Sequence, residues 1–156
     1  MRQLNNSFEK FLVEAKKQTY ANPDIKKASS LRPGSNDYHY EEGSYIYHDT
    51  YFGGTNFIGE EVIYENGSPI WAMNYHGVTL DKNKGEAAMD AALRPALMKV
   101  GEDDILPLRG PKEFKNGSYK YSFAVEGDIN NFSGVEKIFE NNTLIYELRC
   151  EGGTIE

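Results

Sequence analysis

Residues Phe57–Gly77 read FIGEEVIYENGSPIWAMNYHG, and residues Phe132–Gly152 read FSGVEKIFENNTLIYELRCEG. Set against each other at an offset of 75 with no gap, they share eight identities in 21 positions. These are Phe57/Phe132, Gly59/Gly134, Glu61/Glu136, Ile63/Ile138, Glu65/Glu140, Asn66/Asn141, Ile70/Ile145 and Gly77/Gly152. Tyr64/Phe139, Ser68/Thr143, Trp71/Tyr146 and Met73/Leu148 keep their chemistry. Upstream, an offset of 74 aligns Gly43-Ser44-Tyr45 with Gly117-Ser118-Tyr119, Tyr47 with Tyr121 and Gly53 with Gly127. Leu31-Arg32-Pro33-Gly34 also resembles Leu108-Arg109-Gly110-Pro111. The register predicts an internal duplication inside a single domain, 1–156, with repeat one at about 6–78 and repeat two at about 85–153.

Each repeat reads as a helix followed by three strands. Phe8, Phe11, Leu12 and Ala15 recur at helical spacing, and Asn6 with Glu9 suggests the N-terminal cap. Met89, Ala92, Leu93, Ala96, Leu97 and Val100 form the second stripe, which Gly101 ends. Pro95 lies inside that stripe and predicts a kink or a fresh turn, because it has no N–H to donate and crowds the preceding turn. Strands are expected at about 44–52, 57–65 and 69–77, and again at about 118–126, 132–140 and 144–151. Short extra strands fall near 38–41 and 112–115. Glu65-Asn66-Gly67-Ser68 and Glu140-Asn141-Asn142-Thr143 read as hairpin turns, since Asn and Gly tolerate positive φ. The fold class is α+β: a duplicated αβββ unit with pseudo-two-fold symmetry, an antiparallel sheet and two helices.

Alternation assigns the buried faces. Tyr119, Tyr121, Phe123 and Val125 share one face, and their counterparts are Tyr45, Tyr47, Asp49 and Tyr51. Asp49 therefore stands on an aromatic face where the second repeat has Phe123. Trp71, Met73 and Tyr75 should face inward with Tyr146, Leu148 and Cys150. The middle strands have two possible parities. A two-residue turn puts Val62 beside Trp71, whereas a three-residue turn with a bulge puts Glu61 there and turns Glu61 and Glu136 inward.

Composition narrows the function. A chain of 156 residues with 39% hydrophobic and 26% charged residues suffices for a folded core. No apolar run is long enough to span a membrane, and Met1–Asn6 has no apolar segment of a secretory signal. The one cysteine, Cys150, excludes an internal disulfide and a cysteine-rich zinc site, and fits a cytoplasmic protein. With 24 acidic against 17 basic residues, net charge −7, direct binding to a phosphate backbone is disfavoured. There is no phosphate-binding loop, nucleophile elbow or metal-ligand spacing; His39, His48 and His76 read as surface residues. Neither a cofactor nor a metal is expected.

The candidate site rests on the difference between the repeats. A carboxyl among Tyr45, Tyr47 and Tyr51 is either paired or raised in pKa, which makes Asp49 the most pointed polar residue. Arg32 and Arg109 are equivalent across the repeat, and two readings are open. They pair with Glu61 and Glu136, or they meet near the pseudo-dyad and bind an anion. Together Asp49, Tyr47, Tyr51, Trp71, Tyr75, Arg32, Arg109 and Glu61 make a candidate pocket for a small molecule. The alternatives are a protein-interaction or homodimerisation module using exposed aromatics and a sheet edge, and a small enzyme using Asp49 or Glu60 as acid/base.

The run Asp49-Thr50-Tyr51-Phe52-Gly53-Gly54, then Phe57, Gly59-Glu60-Glu61-Val62 and Trp71-Ala72-Met73-Asn74-Tyr75, resembles an uncharacterised bacterial domain family, a domain of unknown function. Arg32-Pro33-Gly34-Ser35, Arg109-Gly110-Pro111 and Gly152-Gly153 fit the same pattern. The family is often appended to Xre-type helix-turn-helix regulators, and the resemblance implies a sensor or effector-binding role without catalytic residues to carry over. Here the chain opens at the first domain helix, which speaks against direct transcriptional regulation. Pro95 and Ile105-Leu106-Pro107 make the second half less regular than the pattern.

Overall fold

Asn66 and Gly67 take φ of 51° and 81°, so the Glu65↔Ser68 pair closes a two-residue hairpin. A few residues on, Tyr64 pairs with Pro69 but Ile63 pairs with Trp71, leaving Ile70 as an extra residue. That bulge buries both Ile70 and Trp71 and places Glu61 opposite Met73. Residues 138–146 do the same: Ile138 pairs with Tyr146, Phe139 with Leu144, and Ile145 is the extra residue. The structure follows neither expected register: the turn has two residues and Ile63, not Val62 or Glu61, stands opposite Trp71, but the bulge sets the inward parity, and Glu61 and Glu136 both point into the protein, fully buried.

The computed structural model describes residues 4–22 and 24–156. Helix α1 spans Asn6–Lys17. Strands β1 (Asn36–Glu42), β2 (Tyr45–Gly53), β3 (Phe57–Glu65) and β4 (Ser68–Thr79) follow. A second helical segment comprises α2 (Gly85–Ala88), a π-helical turn (Met89–Leu93) and α3 (Arg94–Leu97). The chain ends with β5 (Glu113–Asn116), β6 (Tyr119–Asp128), β7 (Asn131–Glu140) and β8 (Thr143–Thr154). All eight strands form one antiparallel sheet in the order β1-β2-β3-β4-β8-β7-β6-β5. The two four-strand halves thus meet at β4 and β8, which pair from Trp71↔Thr154 to Thr79↔Tyr146. The chain is α+β, a broad antiparallel sheet with its helices on one face.

The expected elements match within a few residues, with differences that have local causes. The cap of α1 is Asn5 rather than Asn6: the Asn5 side chain accepts from the N–H groups of Ser7 and Phe8, satisfying donors the first turn leaves over. Pro95 is the second residue of α3, directly after the π turn, so its missing N–H falls in a first turn. β4 and β8 run longer than expected because each is covered by the other.

One helical stripe packs on each half. Phe8 lies 5.9 Å from Trp71 and Phe11 lies 5.1 Å from Tyr45, ring centre to ring centre. Leu12, Ala15, Ala92 and Ala96 are fully buried against Tyr47, Ile63, Tyr121 and Ile138. The opposite face of the sheet carries His48, Asn74, His76 and Arg149, and no helix among the described residues covers it. Among the described residues no helix is long and apolar enough to cross a membrane.

Leu12, with no exposed surface, supplies a direct check on this packing. Leu12→Ala should lower stability by about 2–5 kcal/mol in urea unfolding. A change within about 0.5 kcal/mol would place α1 off the sheet.

Candidate functional site

Two glutamates carried inward by bulges have to be neutralised, and the halves do so differently. In the second half Glu136 is saturated. Arg109 Nε donates to its Oε2 at 3.1 Å and Arg109 Nη2 to its Oε1 at 2.9 Å. The Tyr121 hydroxyl donates to Oε2 at 2.6 Å and the Tyr146 hydroxyl to Oε1 at 3.0 Å. The Gly110 N–H closes the network by donating to Tyr121 Oη at 2.9 Å. Burial works against the Arg109 charge, but the Glu136 carboxylate outweighs it and holds the guanidinium firmly protonated. The Arg109–Glu136 pairing expected from sequence is present.

In the first half Glu61 receives only Lys16, from the last turn of α1, on Oε2. Glu61 Oε1 and the Tyr47 hydroxyl find no partner among the described residues, although both are buried. Tyr47 is the positional counterpart of Tyr121, so the bond that Tyr121 makes to Glu136 is the one missing here. Burial lowers the Lys16 pKa, and the adjacent Glu61 counters it.

Asp49, on β2, lies directly across from Glu61 on β3 and from Tyr38 on β1. The Tyr75 hydroxyl donates to Asp49 Oδ1 at 2.6 Å, reaching across β3. Gly59 makes that reach possible, since a Cβ there would come within 2.6 Å of the Tyr75 hydroxyl. At the corresponding place in the second half, the Phe123 ring and the Cys150 sulfur crowd Gly134 instead. Burial, reinforced by the Glu61 charge, pushes the Asp49 carboxyl up to about 8. Tyr75, Lys16 and Arg109 oppose this without overcoming it. Asp49 is accordingly a neutral carboxylic acid near pH 7, able to donate as well as accept.

A cavity of about 560 Å³ opens beside this acid. Asp49, Tyr51, Phe57 and Tyr75 form its sheet side; Tyr20 and Arg109 flank them; Met89, Leu93 and Leu97 face them. The Arg109 guanidinium is held between rings, 5.5 Å from the Tyr20 centroid and 5.7 Å from that of Tyr75. The size falls in the range of roughly 300–1,000 Å³ typical of small-molecule sites.

Of the eight residues singled out from sequence, Asp49, Tyr51, Tyr75 and Arg109 line the cavity, and Tyr47 and Glu61 are buried next to Asp49. Trp71 does not line it. Its indole N–H donates to the Ile129 carbonyl at 2.9 Å and its ring stacks on Phe132, so it belongs to the core. Arg32 is also elsewhere: half-exposed, 3.7 Å from Glu60 and over the Phe52 ring. The two arginines therefore do not meet, and Arg32 does not pair with Glu61. Glu60, on the open face, is remote from the cavity side of β3. Lys16 and Tyr20 were not foreseen. Lys16 falls four residues after Leu12 and eight after Phe8, on the apolar stripe, and that position was the available signal.

The fold and site define a class, an α+β chain with a cavity on the helix-covered face of its sheet. Residues 49–155, well over half the chain, match the model of a family described as a domain of unknown function (DUF5680), and the chain belongs to that family. No curated protein and no solved structure matches it. The matched segment includes Asp49, Glu61, Tyr75, Arg109 and Glu136; Lys16, Tyr20 and Arg32 precede it.

Two outcomes follow from the electrostatics. Glu136→Gln leaves Arg109 buried without a counter-charge and should cost about 3–5 kcal/mol in chemical unfolding; a loss under 1 kcal/mol would show that Arg109 reaches water. The Asp49 pKa rises on folding from 3.8 to about 8. Its contribution is thus fully present below the unfolded value and is lost as pH climbs through the folded one. Urea unfolding of wild type and Asp49→Asn should diverge, with the variant gaining relative stability from pH 4 to pH 8. Parallel pH profiles would contradict a raised Asp49 pKa.

Proposed function

We propose that this chain is a small-molecule-binding domain and that its ligand occupies the cavity beside Asp49, Tyr75 and Arg109. One observation carries the reading. The two halves bury equivalent glutamates, but only the second satisfies its glutamate fully. The first leaves Tyr47 and Glu61 Oε1 unpartnered next to a neutral buried acid at the edge of an open cavity. Unsatisfied buried polar atoms cost roughly 1–3 kcal/mol each, and sites built for a ligand are where such costs are tolerated. In this reading the chain is a duplicated αβββ unit. One copy keeps a closed structural network, and the other has exchanged Phe123 and Cys150 for Asp49 and Tyr75 to make a site. A sensor role, in which ligand occupancy is passed to a partner, is the form of function this fits best.

A second reading has one observation in its favour. A carboxyl held at about 8 and facing a cavity is poised to transfer a proton near neutral pH. Turnover of a bound compound, lost in Asp49→Asn, would select it over simple binding.

The binding reading is checked by protein-observed NMR with a charge-balanced fragment library. Hits should perturb Tyr38, Tyr51, Phe57 and Tyr75 and should disappear in Asp49→Leu. If no fragment shifts those residues, or if hits bind Asp49→Leu unchanged, the reading fails.

A further inference from the structure

We infer that the cavity takes a monocarboxylate, its carboxylate seated on Arg109 and Asp49 and its apolar or aromatic body lying between Phe57 and the Met89, Leu93 and Leu97 side chains. The inference rests on the binding reading above and adds the ligand's chemical class.

The hydrogen-bond inventory favours an acceptor. A guanidinium has five N–H groups, and Arg109 gives one from Nε and one from Nη2 to Glu136. A further one reaches the Tyr146 hydroxyl, which leaves two of the five for a ligand, and the side chain lines the cavity. The Tyr20 hydroxyl, also on the cavity wall, accepts from Lys16 Nζ at 3.5 Å and keeps its own hydrogen free. Asp49 accepts from Tyr75 on Oδ1, so the protonated acid presents its hydrogen from Oδ2, which no group among the described residues engages. Arg109, Tyr20 and Asp49 each bring a donor to the cavity wall, and a carboxylate has the lone pairs to meet all of them.

The charges set the valence. Glu136 already neutralises Arg109 and Glu61 already neutralises Lys16. At the mouth, Arg94 pairs with Asp90. Lys27 bonds Asn36 at 2.8 Å and lies over the Tyr51 ring, and Glu86 is exposed. These charges cancel, four cations against four carboxylates, so the site would hold a single negative charge through its hydrogen-bond donors and would leave the second charge of a phosphate dianion uncompensated. A cationic ligand would have to approach Asp49 past Arg109, which lines the cavity. The far wall is apolar, formed by Ile25, Met89, Leu93 and Leu97, so the rest of the molecule gains by being apolar.

Asp49 adds a signature that a merely structural residue would not give. It is faced by Tyr38 from β1, Glu61 from β3, Tyr75 from β4, Lys16 from α1, and Tyr20 and Arg109 from the connections, with Tyr47 beside it on β2. When Asp49 ionises it stops donating to the carboxylate and repels it. Affinity should therefore fall by about tenfold per pH unit above about 8.

The test is calorimetric titration of the full chain, between pH 6.5 and 9.5, with matched trios. Phenylacetate, indole-3-acetate and octanoate are each compared with the primary amide and the amine of the same body, and phenyl phosphate provides a second anion. The expected result is at least one acid binding tenfold or more tighter than its amide and amine, and more tightly than phenyl phosphate, with affinity lost above pH 8. Asp49→Asn keeps a donor at the same position but cannot ionise, so it should bind the same acid with a flat pH profile. An amide, amine or phosphate that binds as well as the acid overturns the ligand class and leaves the binding reading standing, as does a wild-type pH profile that stays flat. If none of these compounds binds, this inference falls, and the charge-balanced fragment screen decides separately whether the binding reading falls with it.

Discussion

The inward turn of two glutamates is the constraint on which the rest of this structure depends. A one-residue bulge in each long hairpin buries an extra isoleucine, Ile70 or Ile145, and fixes the parity that sends Glu61 and Glu136 into the core. A carboxylate carried into an apolar interior must be given a cation and donors. Arg109 is thereby tied to the sheet and the 101–112 connection with it, through Tyr121 and Gly110. Lys16 is likewise drawn under the sheet at the end of α1. The positions of the connections and of the first helix are thus partly electrostatic consequences of strand register.

The two neutralisations are unequal, and the inequality has a local cause. Arg109 presents a planar fork that matches both carboxylate oxygens, whereas Lys16 offers one point charge to one oxygen. Glu61 therefore keeps a free oxygen, and its residual charge acts on the next inward residue of the neighbouring strand, Asp49. Burial and that charge together hold Asp49 neutral. The absence of a side chain at Gly59 brings Tyr75 to it. The proposed site is then the place where this incomplete compensation faces a cavity rather than packed side chains.

Much of this was legible in the sequence because it is written in short-range patterns. Asn66-Gly67 and Asn141-Asn142 mark turns by their tolerance of positive φ. The alternation of Tyr119, Tyr121 and Phe123 marks a face, and Asp49 stands out by interrupting its counterpart. The parity of β3 and β7 was not legible, since a bulge is a single unpaired residue with no composition of its own. Arg32 and Arg109 sit in similar tetrapeptides, yet one is on the surface and the other is buried. Their distance from the sheet is set by the connections that carry them. Alternation and the difference between the repeats turn Trp71 inward but do not distinguish a pocket wall from packed core, and its ring faces Phe132 while its N–H is consumed by Ile129. Lys16 was overlooked because a lysine at the end of a helix ordinarily reads as solvated, even where the apolar stripe continues through it.

The claim at the centre of this account is that a carboxylic acid sits neutral beside the cavity at neutral pH. The most direct measurement is the carbon-13 chemical shift of the Asp49 side-chain carboxyl followed from pH 3 to pH 10, assigned by comparison with Asp49→Asn. A midpoint near 8 is the result the account predicts. A midpoint at or below the ordinary aspartate value of about 4 would contradict it, because Asp49 would then be an ionised group whose charge the neighbouring cations already satisfy.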